Sequence, residues 1–175
     1  MAEIELEPHD PVWRTRFERE RDRVREASPA GPLGVLHVGS TAVADLAAKP
    51  VLDVLAVYDD YEGARAAATG LVATGCDLRR DEPDWVRLNR TGDEYPAVLH
   101  LRPRDAEAWR DQVVFRELLR ESPEARAEYE RVKRVAAATH PNDADAYTDA
   151  KEETVLDLVE RAYDEGYDDR LPAFA

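Results

Sequence analysis

With 175 residues, 43% of them apolar, the chain is long enough for one domain with a hydrophobic core of its own. Its formal net charge of −14, 38 acidic against 24 basic residues spread along the chain, argues against nucleic acid as a partner and against a disordered acidic tail. The longest apolar run, Val51–Val57, is broken by Asp53 and far too short to span a bilayer, and the lone cysteine, Cys76, rules out an internal disulfide and a cysteine-built zinc site.

Ile4–Leu6 is a short candidate strand, in an opening stretch, Met1–Glu7, without the basic start and apolar core of a signal peptide. Asp10-Pro11 reads as a helix cap followed by proline in the first turn. The helix it starts carries Trp13, Phe17 and Val24 on one face and stops near Ser28-Pro29. Leu33–Val38 reads as a strand running into the turn Gly39-Ser40-Thr41, with a short helix or loop over Ala42–Ala48. Val51–Val57 is the strongest strand, of the buried type, with Pro50 expected to begin it. Tyr61–Thr74 is an alanine-rich helix stopped by Gly75, and Cys76 beside it reads as a small core residue. Cys76–Arg80, Trp85–Asn89 and Ala97–Arg102 are further strands, with a turn at Thr91-Gly92-Asp93. The last third is helical: about Asp105 to Arg120, then a helix capped by Ser122-Pro123 to about Ala138, then about Asp143 to Tyr163. Residues 1–163 thus form one domain, and 164–175 a loose C-terminal extension. Strands alternating with helices, then helices alone, predict an α/β (α+β) fold: a mixed sheet with helices packed on it.

Asp53 stands out first, because a carboxylate in a buried strand is costly unless paired, hydrogen-bonded or bound to a cation. It either braces the strand or serves as a metal ligand or base. Upstream, His37-Val38-Gly39-Ser40-Thr41 is a strand entering a turn that can offer backbone N–H groups and hydroxyls to an anion. The basic residues are nearly all arginine; the three lysines are Lys49, Lys133 and Lys151. Lys49 is either solvated at a strand start or held near the Gly-Ser turn. Tyr129 and Lys133 are spaced i,i+4, as are Tyr147 and Lys151, so each pair shares a helix face. Lys151 falls on an apolar stripe, from which it either snorkels outward or points into a polar cavity. Arg116 and Arg120 form another such pair. If these helices pack on the mouth of the sheet, their cations converge on a phosphate or carboxylate ligand; otherwise they pair with the many acidic neighbours. His100, on a strand, is either a packed residue or a ligand. His9 and His140 sit beside turn residues.

His37-Val38-Gly39-Ser40-Thr41-Ala42-Val43 followed by Leu46-Ala47-Ala48-Lys49-Pro50-Val51-Leu52-Asp53-Val54 resembles the most distinctive motif of the GrpB family. Asp10-Pro11-Val12-Trp13, Phe115-Arg116-Glu117-Leu118-Leu119-Arg120 and the two Tyr-x-x-x-Lys pairs are similar to further family elements, so the likeness runs from about Ile4 to Ala162. The resemblance implies a nucleotidyltransferase-like fold. It places catalytic roles on Asp53, His37 and His100, and ligand-binding roles on Gly39, Ser40, Thr41, Lys49, Arg116, Lys133, Tyr147 and Lys151. A divalent metal, Mg²⁺ or Mn²⁺, would sit on Asp53. The ligand implied is a nucleotide or another phosphorylated small molecule. Separately, the opening stretch and the spread of acidic charge lead to the expectation of a cytoplasmic protein whose surface suits high internal salt. Some family members are fused to dephospho-CoA kinase. The chain departs from the pattern where Leu55 stands in place of a second strand carboxylate, Leu36 and Ala44-Asp45 replace usual residues, and one histidine of a His-x-His strand is absent. These departures keep open the alternative of a non-catalytic nucleotide- or anion-binding module that has lost the full metal site.

Overall fold

A computed structural model describes residues 3–92 and 94–175; Asp93, placed in a turn by its sequence, lies outside the described residues, as do Met1 and Ala2 of the opening stretch. The elements in chain order are α1 (Val12–Ala27), β1 (Gly34–Val38), β2 (Leu52–Tyr58), α2 (Tyr61–Ala73), β3 (Asp77–Glu82), β4 (Trp85–Arg90), β5 (Ala97–Pro103), α3 (Ala108–Glu121), α4 (Pro123–Thr139) and α5 (Ala144–Asp164). The caps follow the sequence. Asp10 Oδ1 accepts from the Val12 amide at 2.9 Å, Ser122 Oγ from Ala125 and Asp143 Oδ1 from Ala146. The fold is mixed α+β, a five-stranded sheet in the order β1-β2-β5-β4-β3, in which β2 and β5 are parallel and the other neighbours antiparallel.

The two-residue period of a strand assigns each side chain to a face. Leu52, Val54, Ala56 and Tyr58 of β2 join Ala97, Leu99 and Leu101 of β5 and Val86 and Leu88 of β4 against α1 and α2, a core that includes Trp13, Val24, Leu71 and Cys76. Leu55 and Val57 look the other way, onto Trp109 and Val113 of α3. Behind them α3, α4 and α5 pack together around Leu118, Tyr129 and Leu158. Among the described residues no helix is long and apolar enough to cross a membrane.

Three local expectations are corrected. Ile4–Leu6 is not a strand: the stretch makes one bridge, Glu7 to Ala48, with the Ile4 amide bonded instead to the Pro141 carbonyl. Pro50 does not begin β2, which starts at Leu52; it sits in a three-residue turn closed by the Val51 amide on the Lys49 carbonyl at 2.8 Å. Nor is the C-terminal segment loose. It forms a 3₁₀ turn at Tyr167–Arg170, packs Leu171 and Phe174 against the α3 side of the sheet, and pairs Arg170 with Glu121 at 2.5 Å. Phe174 lies 5.5 Å from Trp109, centroid to centroid, and fills the space that a side chain at Gly34 would need.

Candidate functional site

Odd-numbered positions of β2 face α3–α5, so the parity that buries Leu55 and Val57 turns Asp53 the same way, at the strand's open end. In the parallel pairing of β2 with β5, Leu55 stands beside His100, and in the antiparallel pairing of β5 with β4, His100 stands beside Arg87. Asp53, His100, Arg87 and Trp85 therefore share one face. They meet the 39–41 turn from one side and α4 and α5 from the other, enclosing a cavity of about 370 Å³.

The chain's three lysines all line this cavity. Lys133, reaching in from α4, is buried and donates to Ser40 Oγ at 3.0 Å and to the Ala47 carbonyl. One turn earlier on α4, Glu130 accepts from the Ala47 amide at 2.9 Å, so the helix holds both backbone groups of Ala47 and fixes the loop leading to Lys49. On α5, Lys151 Nζ stands 4.2 Å from the Tyr147 ring centroid, and Lys49 Nζ stands 5.1 Å from the same ring. Burial, with Lys151 nearby, pushes the Lys133 ammonium down to about 7. Burial and then Lys49 push Lys151 down to about 8. Burial raises the phenols of Tyr129 and Tyr147, the latter to about 12, so both remain neutral donors near pH 7. Among the described residues the lining therefore sets three lysines and Arg87 against one carboxylate, Asp53.

Asp53 is held in place on both sides. Its Oδ1 lies 3.0 Å from His100 Nε2, and the Trp85 indole N–H donates to His100 Nδ1 at 3.2 Å. An indole can only donate, so Nδ1 is the acceptor and the ring proton sits on Nε2, aimed at the carboxylate. Oδ2 faces Gly39, whose φ of 74° and ψ of −175° exclude other residues and where a Cβ would stand 2.6 Å from that oxygen. The glycine is there so that turn and carboxylate can touch.

Of the residues predicted for the site, Gly39, Ser40, Thr41, Lys49, Asp53, His100, Lys133, Tyr147 and Lys151 line this cavity; His37 and Arg116 do not. The reason is register. Val38 pairs with Asp53 and His37 with Val54, and directly opposed residues of antiparallel strands share a face, so His37 falls on the α1 face, stacked on Phe17 at 4.9 Å. Arg116 donates to the His37 carbonyl at 3.0 Å and pairs with Glu117 at 2.7 Å. The Thr41 hydroxyl is turned to His37 Nε2, at 2.8 Å. Trp85 and Arg87 were not read as site residues: only the register between strands brings them to His100, and no local pattern encodes that.

The donor set does not fit a two-metal centre. Among the described residues no three His, Cys, Asp or Glu side chains converge closely enough to hold a metal ion. The next residue of β2 on the Asp53 face is Leu55, fully buried in the core.

The match to known proteins covers nearly the whole chain. A family model described as GrpB protein matches residues 3–161. A UPF0157 protein of Streptomyces coelicolor is 37% identical over 160 residues, 91% of this chain and 84% of its own. The dephospho-CoA kinase of Mycolicibacterium paratuberculosis is 32% identical over 192 residues, 93% of this chain; the match spans 47% of that kinase, about half its length. Among solved structures, the conserved protein GrpB from Enterococcus faecalis superposes with a TM-score of 0.83 at 24% identity, covering 92% of this chain and 98% of that one. A cytoplasmic RNA terminal U-transferase superposes with a TM-score of 0.53 at 14% identity, covering 75% of this chain and 41% of that one. At such identities the structural likeness is one of fold.

Proposed function

The chain belongs to the GrpB family and has a nucleotidyltransferase-like fold, and on that premise we propose that its cavity binds the phosphates of a nucleotide or another phosphorylated small molecule and transfers a nucleotidyl or phosphoryl group. One observation carries the reading: in a chain whose basic residues are otherwise arginine, all three lysines surround a single 370 Å³ cavity that also holds Asp53 and Ser40. In a protein of net charge −14, such a concentration of ammonium groups needs an anionic counterpart.

In this reading Lys49 and Lys151 take the outer phosphate oxygens, and Lys133 holds the Ser40 hydroxyl ready to donate to another. Acting as base, Asp53, its Oδ1 fixed by His100, accepts through Oδ2 the proton of an attacking hydroxyl as the new O–P bond forms and the P–O bond to the leaving phosphate group breaks, and that group departs with its charge held by Lys49 and Lys151. His100 then acts through Asp53, and Trp85 through His100. Alternatively to its role as base, Asp53 would be the protein ligand of a single Mg²⁺ or Mn²⁺, which would supply further neutralisation of the transferred group.

The test is thermal unfolding of the protein with nucleotides, coenzyme A precursors and inorganic phosphates, each with and without Mg²⁺ or Mn²⁺. A ligand at a hundred times its Kd stabilises by about 2.7 kcal/mol, which for a chain of this size raises Tm by about 5–10 °C. Lys151→Met should remove the shift, and Asp53→Asn should remove any part that depends on metal. If no phosphorylated compound stabilises the wild-type protein, the proposal fails.

A further inference from the structure

On the far side of the 39–42 turn lies a second hollow, of about 740 Å³, which shares only Thr41 with the cavity above. It is lined by four arginines from three helices: Arg14 of α1, Arg116 and Arg120 of α3, and Arg126 of α4. Among the described residues its only lining carboxylate is Asp45.

Backbone carbonyls hold three of the guanidiniums, while Arg14 pairs with Glu18 at 3.5 Å. Arg116 donates to the His37 carbonyl and Arg120 Nε to the Ala42 carbonyl, each at 3.0 Å. Arg126 Nη1 donates to the carbonyls of Leu119 and Arg120, at 3.0 and 2.8 Å. A carbonyl fixes a guanidinium without cancelling its charge. The nearby carboxylate of Glu117 is divided among Arg116 at 2.7 Å, Arg120 at 3.4 Å and Arg170 at 3.8 Å. Two neighbours register the surplus. His37 is pushed down to about 4 by burial and then by Arg120, and the Arg120 guanidinium itself is pushed down by burial and by Arg116. His9, also on the lining, has its Nδ1 enclosed without a hydrogen-bond partner among the described residues.

Fixed guanidiniums with free N–H groups present the planar fork that fits a phosphate, and in so acidic a protein their placement together runs against the overall charge. We propose that this hollow is a second anion-binding site, which takes a phosphate group of a small-molecule ligand on Arg14, Arg120 and Arg126. It goes beyond the function proposed above and stands on different side chains. Group transfer needs two reactants, and two anion sites on opposite sides of one turn would give each a place, with the Thr41–His37 hydrogen bond between them.

Pyrophosphate titrated into isotope-labelled protein at pH 7 tests the site by NMR, with the His37 ring signals reporting the second hollow and the Tyr147 ring signals the first. The His37 signals should move saturably, move equally in Lys151→Met, and move several-fold less readily in Arg126→Gln and in Arg14→Glu. The side chain of Arg14 is 85% exposed, so its replacement tests the charge even if Arg126→Gln fails to fold. His37 signals that stay still at saturating pyrophosphate, that respond equally in Arg14→Glu, or that lose their response in Lys151→Met would overturn the assignment. Failure of the first cavity would appear separately, as still Tyr147 signals beside a moving His37.

Discussion

Replacing Gly39 by alanine tests whether turn and carboxylate are built against each other. At φ 74° and ψ −175° the backbone occupies a region that is open essentially to glycine alone, and holding another residue there costs about 1–3 kcal/mol. The added methyl group would also stand 2.6 Å from Asp53 Oδ2, a full ångström inside ordinary contact. The carboxylate has to swing away, and its 3.0 Å bond to His100 goes with it. A hydrogen bond to a charged group is worth about 1.5–3 kcal/mol, and the lower end applies because the Asp53 side chain is 37% exposed. Alanine's smaller unfolded-state entropy returns about 0.4–1 kcal/mol. The net loss is about 2–4 kcal/mol, or a fall in Tm of about 5–15 °C at this chain length. Gly75→Ala is the control: φ there is also positive, at 100°, but nothing lies within 4 Å of the new Cβ, so only the backbone part remains. Calorimetry of both variants, with the His100 ring nitrogens followed by NMR, separates the two contributions. If Gly39→Ala melts with Gly75→Ala and leaves His100 undisturbed, Asp53 is not seated against the turn and the geometry argued for the site is wrong.

Lys133 sits near 7 in the folded chain against about 10.5 unfolded, and Lys151 near 8, so between those values the unfolded state binds more protons and unfolding free energy rises with pH. Denaturant unfolding at several pH values from 7 to 9.5 should show that rise, reduced in Lys133→Met; equal slopes in the two proteins would refute it. His37, pushed down to about 4, carries the same sign in a lower window, with stability falling as pH drops from about 6.5 to 4. An NMR titration of its ring should centre near 4, and a midpoint above 6 would contradict the burial and the arginine field. Trp85→Phe removes the donor to His100 Nδ1 and should move the ring toward a mixture of tautomers, read from the two nitrogen shifts; an unchanged ratio would remove Trp85 from its positioning role. Phe174→Ala should cost about 1–3 kcal/mol and alter Trp109 fluorescence, whereas a silent substitution would return the C-terminal segment to the status of a loose tail.

Much of the site was legible because its residues violate local rules. A carboxylate inside Val51–Val57, a glycine between a strand and a Ser-Thr turn, and three lysines in an arginine-rich chain each break a pattern, and the cavity holds them all. What the sequence could not supply is strand register. Whether His37 joins Asp53 or turns its back depends on a one-residue choice in the β1–β2 pairing, which residues 39–51 could have set either way. Trp85 and Arg87 escaped for the same reason, since β4 meets β5 through a register that neither strand specifies alone. The end of the chain was misread on composition: Leu171 and Phe174 are apolar signals that follow the acidic run Asp164–Asp169, and they decide its packing. Ile4–Leu6 has the alternation of a strand, but the β-bridge is made beyond it, by Glu7 to Ala48, while the Ile4 amide bonds to the Pro141 carbonyl.

The division of cations between the two hollows follows from what each must do. An arginine keeps its charge in any protein environment and presents a broad planar fork, which suits the wider hollow, where backbone carbonyls can align it. The narrower cavity already contains one guanidinium, Arg87, together with Tyr129, Tyr147, Trp85 and the Asp53–His100 pair. A compact ammonium fits beside those rings, with Lys49 and Lys151 sharing one face-on neighbour, where two guanidiniums would need more room. A lysine can also shed its proton when no anion is present. Burial and a neighbouring ammonium push Lys133 down to about 7 and Lys151 down to about 8, so an arriving phosphate would raise both, Lys133 above all, and draw protons from solvent near pH 7. Three arginines in the same place would hold unpaired charge at all times and destabilise the ligand-free fold. Near pH 7, ligand binding at this cavity should therefore be coupled to proton uptake through Lys133, whereas binding at the arginine hollow, where His37 is held at about 4, should not be.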